Sequence, residues 1–284
     1  MKSLRSSFWI ISAFIMVMLT ACSGGGGGSD GSSGTLAMDI TDAKPMLPAG
    51  TKHVWISFEE VLVHKSGGGW VSLPLAQTHH SIDLLQFHSG NTTELVPPVS
   101  LEPGKYTQIR IVVSDANITI DDTTYSLTIP SENLKTDKNF DFAVKGGGAV
   151  DITVDFDLSK SIVVTGPDEY KLKPVLHIVH TSEAATIQGA ISDDSFENTD
   201  SSDAIITILD NNGIEYTKVT VPRAGPDPAE FSIFWLVPNQ EYTVEIDMDP
   251  EAGDGEEYTE TVDAVQLQPG DIFALNSDTP IILP

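Results

Sequence analysis

The segment Val150-Asp151-Ile152-Thr153-Val154-Asp155-Phe156-Asp157-Leu158 alternates apolar and polar residues without a break, and a period of two fits an extended strand and not a helix. Such a strand buries Val150, Ile152, Val154, Phe156 and Leu158 on one face and wets Asp151, Thr153, Asp155 and Asp157 on the other. It requires a sheet, and the sheet requires a second apolar layer, so the chain has to supply more strands. Leu36, Met38 and Ile40 alternate up to Thr41-Asp42-Ala43-Lys44-Pro45, where proline ends the ladder. Val54 to His64 is rich in aromatic and β-branched residues, and Ser66-Gly67-Gly68-Gly69 joins it to Trp70-Val71-Ser72-Leu73, which predicts a hairpin.

Further strands follow at short intervals. Leu101-Glu102-Pro103-Gly104-Lys105-Tyr106 is a turn feeding a strand through Val113, and Ile118-Thr119-Ile120 faces Tyr125 to Ile129 across Asp121-Asp122-Thr123. Phe140 to Val144, a Gly146-Gly147-Gly148 turn and the strand from Val150 predict a second hairpin, followed by Ser161 to Thr165 and Lys171 to Val179. The run Ile82 to Phe87 is too short to assign. After His180-Thr181-Ser182-Glu183 the pattern restarts at Thr186, a polar, acidic loop spans Ser192 to Asp203, and Asp210-Asn211-Asn212-Gly213 separates two strands, Ala204 to Leu209 and Tyr216 to Val221. Helical periodicity is absent throughout this region. Short strands and frequent turns predict an all-β chain of two β-sandwich domains, residues 35–182 and 183–284.

The N-terminus reads differently. Lys2 and Arg5 precede an apolar run from Phe8 to Leu19, long enough for a signal-peptide core and too short to span a bilayer, and Leu19-Thr20-Ala21-Cys22 closes it. This resembles the lipobox of bacterial lipoproteins and implies cleavage after residue 21 and diacylation of Cys22, with the bilayer as partner. Ser23 follows the cysteine where inner-membrane lipoproteins carry Asp, so the resemblance implies the outer membrane. Residues 22–34 are the lipidated cysteine and a Gly/Ser linker. Cys22 is the single cysteine, so no intramolecular disulfide forms and packing alone must hold the fold. A formal charge of −26 makes nucleic acid an unsuitable partner.

Several motifs occur in a fixed order between Thr35 and Val179: Ile40-Thr41-Asp42-Ala43, Gly68-Gly69-Trp70-Val71, Ile82-Asp83-Leu84-Leu85, Gly104 to Arg110, Asp155-Phe156-Asp157 with Lys160-Ser161-Ile162, and Tyr170 to Leu176. The string resembles the bacterial lipoprotein family of the domain of unknown function 4382, with Lys44 interposed before Pro45 as a departure. The resemblance implies fold and location and brings no activity. Phe231 to Leu236 and Pro238 to Ile246 resemble the strands of carboxypeptidase-regulatory, transthyretin-like sandwich modules, although Glu230 and Asn239-Gln240 replace the usual glycine and Pro-Gly turn.

The sequence has no G-x-S-x-G elbow between a strand and a helix, the one match to that spacing, Gly27 to Gly31, falling in the Gly/Ser linker; it has no H-E-x-x-H helix, and a lone cysteine cannot form a metal pair. His79, His80 and His88 share one region, but neighbours on an extended chain point apart; His177 and His180 face opposite sides of a strand. Asp155 and Asp157 share a face and are expected to form an ion-pair ladder with Arg110, Lys171 or Lys173, rather than a coupled acid pair. Trp55, Trp70 and Trp235 would make a sugar-stacking platform only if exposed together. Asp247, Asp249 and Asp254 lie in an acidic turn that offers oxygens to calcium, without EF-hand spacing. The sequence therefore points to a non-catalytic envelope protein that binds an envelope protein or polysaccharide, without a cofactor. The alternative is an envelope enzyme or the accessory subunit of an envelope hydrolase.

Overall fold

Leu36, Met38 and Ile40 are fully buried, as their alternation requires, in a computed structural model that describes residues 32–42, 45–76, 81–130, 133–135, 140–199, 201–248, 258–275 and 280–282. Two ladders of strands follow in chain order. The N-terminal half holds β1 (Gly34–Thr41), β2 (Thr51–Lys65), β3 (Trp70–Leu73), β4 (Ser81–Asp83), β5 (Thr93–Leu101), β6 (Gly104–Ile120), β7 (Thr123–Thr128), β8 (Asn133–Lys135), β9 (Phe142–Val144), β10 (Ala149–Phe156), the one-turn α1 (Leu158–Ser161), β11 (Ile162–Gly166), β12 (Glu169–Leu172) and β13 (Leu176–His180). The C-terminal half holds β14 (Ala185–Ile191), α2 (Asp193–Thr199), β15 (Asp203–Leu209), β16 (Glu215–Pro222), β17 (Ala229–Leu236), β18 (Glu241–Met248), β19 (Tyr258–Gln266) and β20 (Ile272–Ala274).

The fold is all-β, as expected. One sheet of the N-terminal half has the order β13-β10-β1-β5; the other runs β11-β12-β7-β6-β2-β3, with β4 on β2 and both β8 and β9 on β6. The C-terminal half pairs β17-β14-β20 in one sheet and β16-β15-β18-β19 in the other. Each half has its own cluster of buried apolar side chains, Leu36 to Ile178 in the first and Ala185 to Ile281 in the second. The expected hairpins β2-β3, β6-β7 and β15-β16 form, the last with a register slip between Ile208 and Leu209 next to its turn. In the last of these only Gly213 of the turn is left-handed, at φ 71°, and the Asp210 carboxylate closes the turn by accepting from the Asn212 and Ile214 amides, each at 2.9 Å.

Four expectations need correction. Phe142–Val144 does not pair with β10: it lies on β6, where the Tyr106 and Phe142 rings stack at 5.1 Å, and both edges of β10 are already taken by β1 and β13. Leu158 is not the last strand residue, because Asp157 caps α1 by accepting from the Lys160 amide at 3.1 Å. The acidic stretch after Ser192 contains α2, pinned by the buried Phe196 and by Arg223, which donates to both Asp193 oxygens at 2.5 and 2.8 Å.

The fourth concerns the alternating strand itself. Ile152, Val154 and Phe156 are buried as expected, but the polar face beyond the exposed Asp151 is buried too: Thr153 is 0 % exposed and Asp155 4 %. A period of two separates the faces and does not say that either one meets water. Here the polar face is covered, because His177, directly across from Asp155 on β13, stacks its ring on Tyr216 of the C-terminal half at 4.1 Å.

Candidate functional site

The residues of the family string converge at the end of β1 and β10. These neighbours run parallel, with Thr41 beside Asp155, so the chain leaves both strands at the same edge and brings Asp42 against the start of α1. Asp42 Oδ1 accepts from the Leu158 amide at 2.9 Å, while Oδ2 is buried with no hydrogen-bond partner among the described residues. Asp157 Oδ2 lies 3.8 Å from His177 Nε2 and 4.0 Å from Lys160 Nζ. Ser161 completes the corner, its Oγ accepting from the Val175 amide at 2.9 Å and its carbonyl from the Lys173 amide at 2.7 Å.

Three carboxyl groups, Asp42, Asp155 and Asp157, are thus nearly sealed from water. Burial, and after it the charge of Asp155, push the Asp42 carboxyl well above the usual carboxylate range, against the pull of the Leu158 amide. Lys160 crosses to the C-terminal half, its ammonium donating to the carbonyls of Glu215 and Tyr216, the latter at 2.7 Å. Burial, followed by the neighbouring Tyr242 and Asp155, raises the Tyr216 phenol well above its ordinary value. With the carboxyl groups closed off by packing, this junction fastens the two halves together and offers no room to a substrate.

An open cleft lies beside it. A cavity of about 350 Å³ has Val219 to Pro222 of β16 as one wall, Glu230 to Trp235 of β17 as the other, and Asp42, Ser89 and Gly90 at its N-terminal-half side. β16 and β17 are consecutive in the chain but belong to different sheets: among the described strands β16 pairs only with β15 and β17 only with β14, so both present an open edge. The β14-β17 register slips between Ala185↔Leu236 and Ile187↔Ile233, which leaves one extra residue on β17. Trp235 sits in this bulge at φ 63°, a strained value for so large a side chain, and its Nε1 is buried without a hydrogen-bond partner. Gly90, at φ 85°, lies against the Phe234 ring, which a Cβ would meet at 3.1 Å.

The structure disperses most of the residues singled out from the sequence. Arg110 lies in the opposite sheet with its guanidinium 4.2 Å over the Trp70 ring, so it does not form the expected ladder with Asp155 and Asp157; β6 places it there, opposite Leu62. Instead, Asp157 faces Lys160 and His177. The tryptophans do not share a platform: Trp55 neighbours His53 at 6.4 Å, Trp70 neighbours His64 at 5.1 Å, and Trp235 lines the cleft. His180 packs on Phe140 at 5.6 Å and His88 contacts Ser89 at 2.8 Å. Asp247 accepts from Thr259 Oγ1 at 2.6 Å; Asp249, Asp254, His79, His80 and Cys22 lie outside the described residues. Among the described residues no group of three or more His, Cys, Asp or Glu side chains is placed to hold a metal ion.

What the sequence reading overlooked is the role of Asp42 and Lys160, although both stand in the quoted motifs, and the pairing of Trp235 with an open strand edge. A carboxylate at the end of an entirely apolar face, Leu36 to Ile40, is the signal that pointed to Asp42.

Comparison with known proteins gives distant structural likenesses. The Bacillus anthracis TIE protein matches over 89% of this chain at 14% identity and a TM-score of 0.24, and the chain spans about a third of that protein, 34%. A crystal structure described as a putative cell adhesion protein from Bacteroides ovatus matches at 8% identity and a TM-score of 0.23, covering 89% of this chain and 95% of that one. The fimbrial anchor protein Mfa2 from Porphyromonas gingivalis matches at 11% identity and a TM-score of 0.20, covering 81% and 82%. Scores this low carry no argument about shared function. Among curated proteins there is no significant match. Residues 33–174, half of the chain and the part that supplies Asp42, Asp155, Asp157 and Lys160 to the junction, match a family model described as Domain of unknown function (DUF4382), and the chain belongs to that family.

Proposed function

We propose that the chain is an exported bacterial lipoprotein, tethered to the envelope through acyl chains on Cys22, that binds a partner and performs no catalysis. The observation that carries the binding role is the cleft between β16 and β17, where two open sheet edges and a tryptophan raised on a bulge border a cavity of about 350 Å³. The nearby carboxyl groups of Asp42, Asp155 and Asp157 are taken up by packing, which speaks for a structural use of the one cluster that resembles acid-base machinery. No helix among the described residues is long and apolar enough to cross a membrane, and the lipobox supplies the anchor in this reading. The Gly/Ser linker holds the cleft away from the bilayer, on the outer membrane by the Cys22-Ser23 rule.

A photo-crosslinking residue placed at Ser232, exposed on the cleft wall, tests the binding role in intact cells, with Val164 of β11, 57 % exposed and away from the cleft, as the control site. Discrete adducts from Ser232 and none from Val164 are expected. Adducts of equal yield from both positions, or from Val164 alone, contradict a binding role for the cleft.

A further inference from the structure

The cleft walls carry groups for which the described residues provide no partner. Each open strand edge presents backbone N–H and C=O groups in a row, and an extended chain is the ligand that matches such a row. The buried Trp235 Nε1–H lacks an acceptor, and a buried donor left unmatched is costly, so an occupant with carbonyl oxygens complements it. Among the residues lining the cleft Glu230 is an exposed carboxylate, Asp42 is buried at the junction, and none is a lysine, arginine or histidine. The whole chain carries −26, so the surrounding field also favours a cation. The Phe234 and Trp235 rings, half-buried in the same wall, give an ammonium or guanidinium group a face to rest on. The bulge that raises Trp235 out of the regular alternation is of the kind found where a strand re-aims a side chain at a ligand.

We infer that the cleft between β16 and β17 takes an extended segment of polypeptide bearing a lysine or arginine, which adds as a strand to an open edge, offers a carbonyl to Trp235 Nε1 and places its cation against Glu230. This rests on the binding role proposed above and narrows it to a basic polypeptide. Aromatic and hydroxyl-bearing walls also suit an oligosaccharide, but a sugar leaves the two strand edges unmatched.

The full chain is titrated with a fluorescein-labelled decapeptide of alternating lysine and threonine, with its glutamate-threonine counterpart, and with chitotetraose, in low salt. Saturable binding of the lysine peptide alone is expected, weakened about tenfold or more by Glu230→Lys and several-fold by Trp235→Phe, which keeps an aromatic ring, though a smaller one, and removes the N–H. Binding should also shift the Trp235 indole N–H resonance downfield as it gains an acceptor. Melting curves confirm that each variant is folded; if Trp235→Phe is not, Thr220→Lys on the opposite wall replaces it. No saturable binding of the lysine peptide, equal binding of the glutamate peptide, or binding untouched by these substitutions overturns the inference. Chitotetraose binding that competes at Trp235 overturns the strand and leaves the cleft as a binding site, whereas failure of the Ser232 crosslinks removes the binding role itself.

Discussion

Asp42 has one carboxyl oxygen satisfied by the Leu158 amide and one buried without a partner among the described residues, beside two other carboxyl groups. Its folded pKa is raised, so the folded state prefers the protonated form. The stability this confers is fully present below the unfolded value of about 3.9 and is lost as pH rises through the folded pKa. Asp42→Asn keeps the Oδ1 acceptor and removes the charge. Its melting temperature should come nearest the wild type at about pH 4 and below and exceed it at pH 8 in a pH series; equal pH dependence of the two proteins contradicts the junction described here. Phe156→Ala should cost about 3 to 5 kcal/mol in denaturant unfolding, for it empties a fully buried ring position. Thr153 looks replaceable from its place on the polar face, yet it is buried and its hydroxyl lies 2.9 Å from that of Thr181, so Thr153→Ala should cost about 1 to 3 kcal/mol and not a negligible amount.

At the scale of elements, the alternation of β1 and β10 and the glycine turns after β2 and β15 were legible, because each depends on residues close in sequence. Partners separated by a long stretch were not. Nothing local to Phe142 says that Tyr106 will stack on it, and nothing in Asp151 to Asp157 says that Tyr216 and His177 will cover that face. The cleft was hidden for the same reason, since an open edge is a property of strand order, and strand order is settled by the whole sheet. β14 and β17 show how tightly that order constrains single residues: Gly189 pairs with Phe231, and a Cβ there would come within 2.7 Å of the Phe231 ring. Gly189→Ala should therefore destabilise the protein by about 1 to 3 kcal/mol through overpacking, measured by denaturant melts, whereas Gly68→Ala, in a turn with ordinary contacts, should be close to neutral.

On the scale of the whole molecule, two apolar clusters are fastened by few side chains: Lys160 on the carbonyls of Glu215 and Tyr216, and His177 on the Tyr216 ring. Lys160→Met leaves two carbonyls without their cation and should cost about 1.5 to 3 kcal/mol, with calorimetry showing the C-terminal half melting ahead of the rest. A single transition unshifted from wild type would mean that the halves are held otherwise. All of this is placed at a membrane surface by one residue in the account, and the mass of the mature N-terminal peptide, isolated from membranes, tests that placement most directly. The account predicts a peptide that begins at Cys22 and carries diacylglycerol, lost together with membrane retention in Cys22→Ala. An unmodified Cys22, or a free α-amino group at any other residue of the native protein, would contradict it.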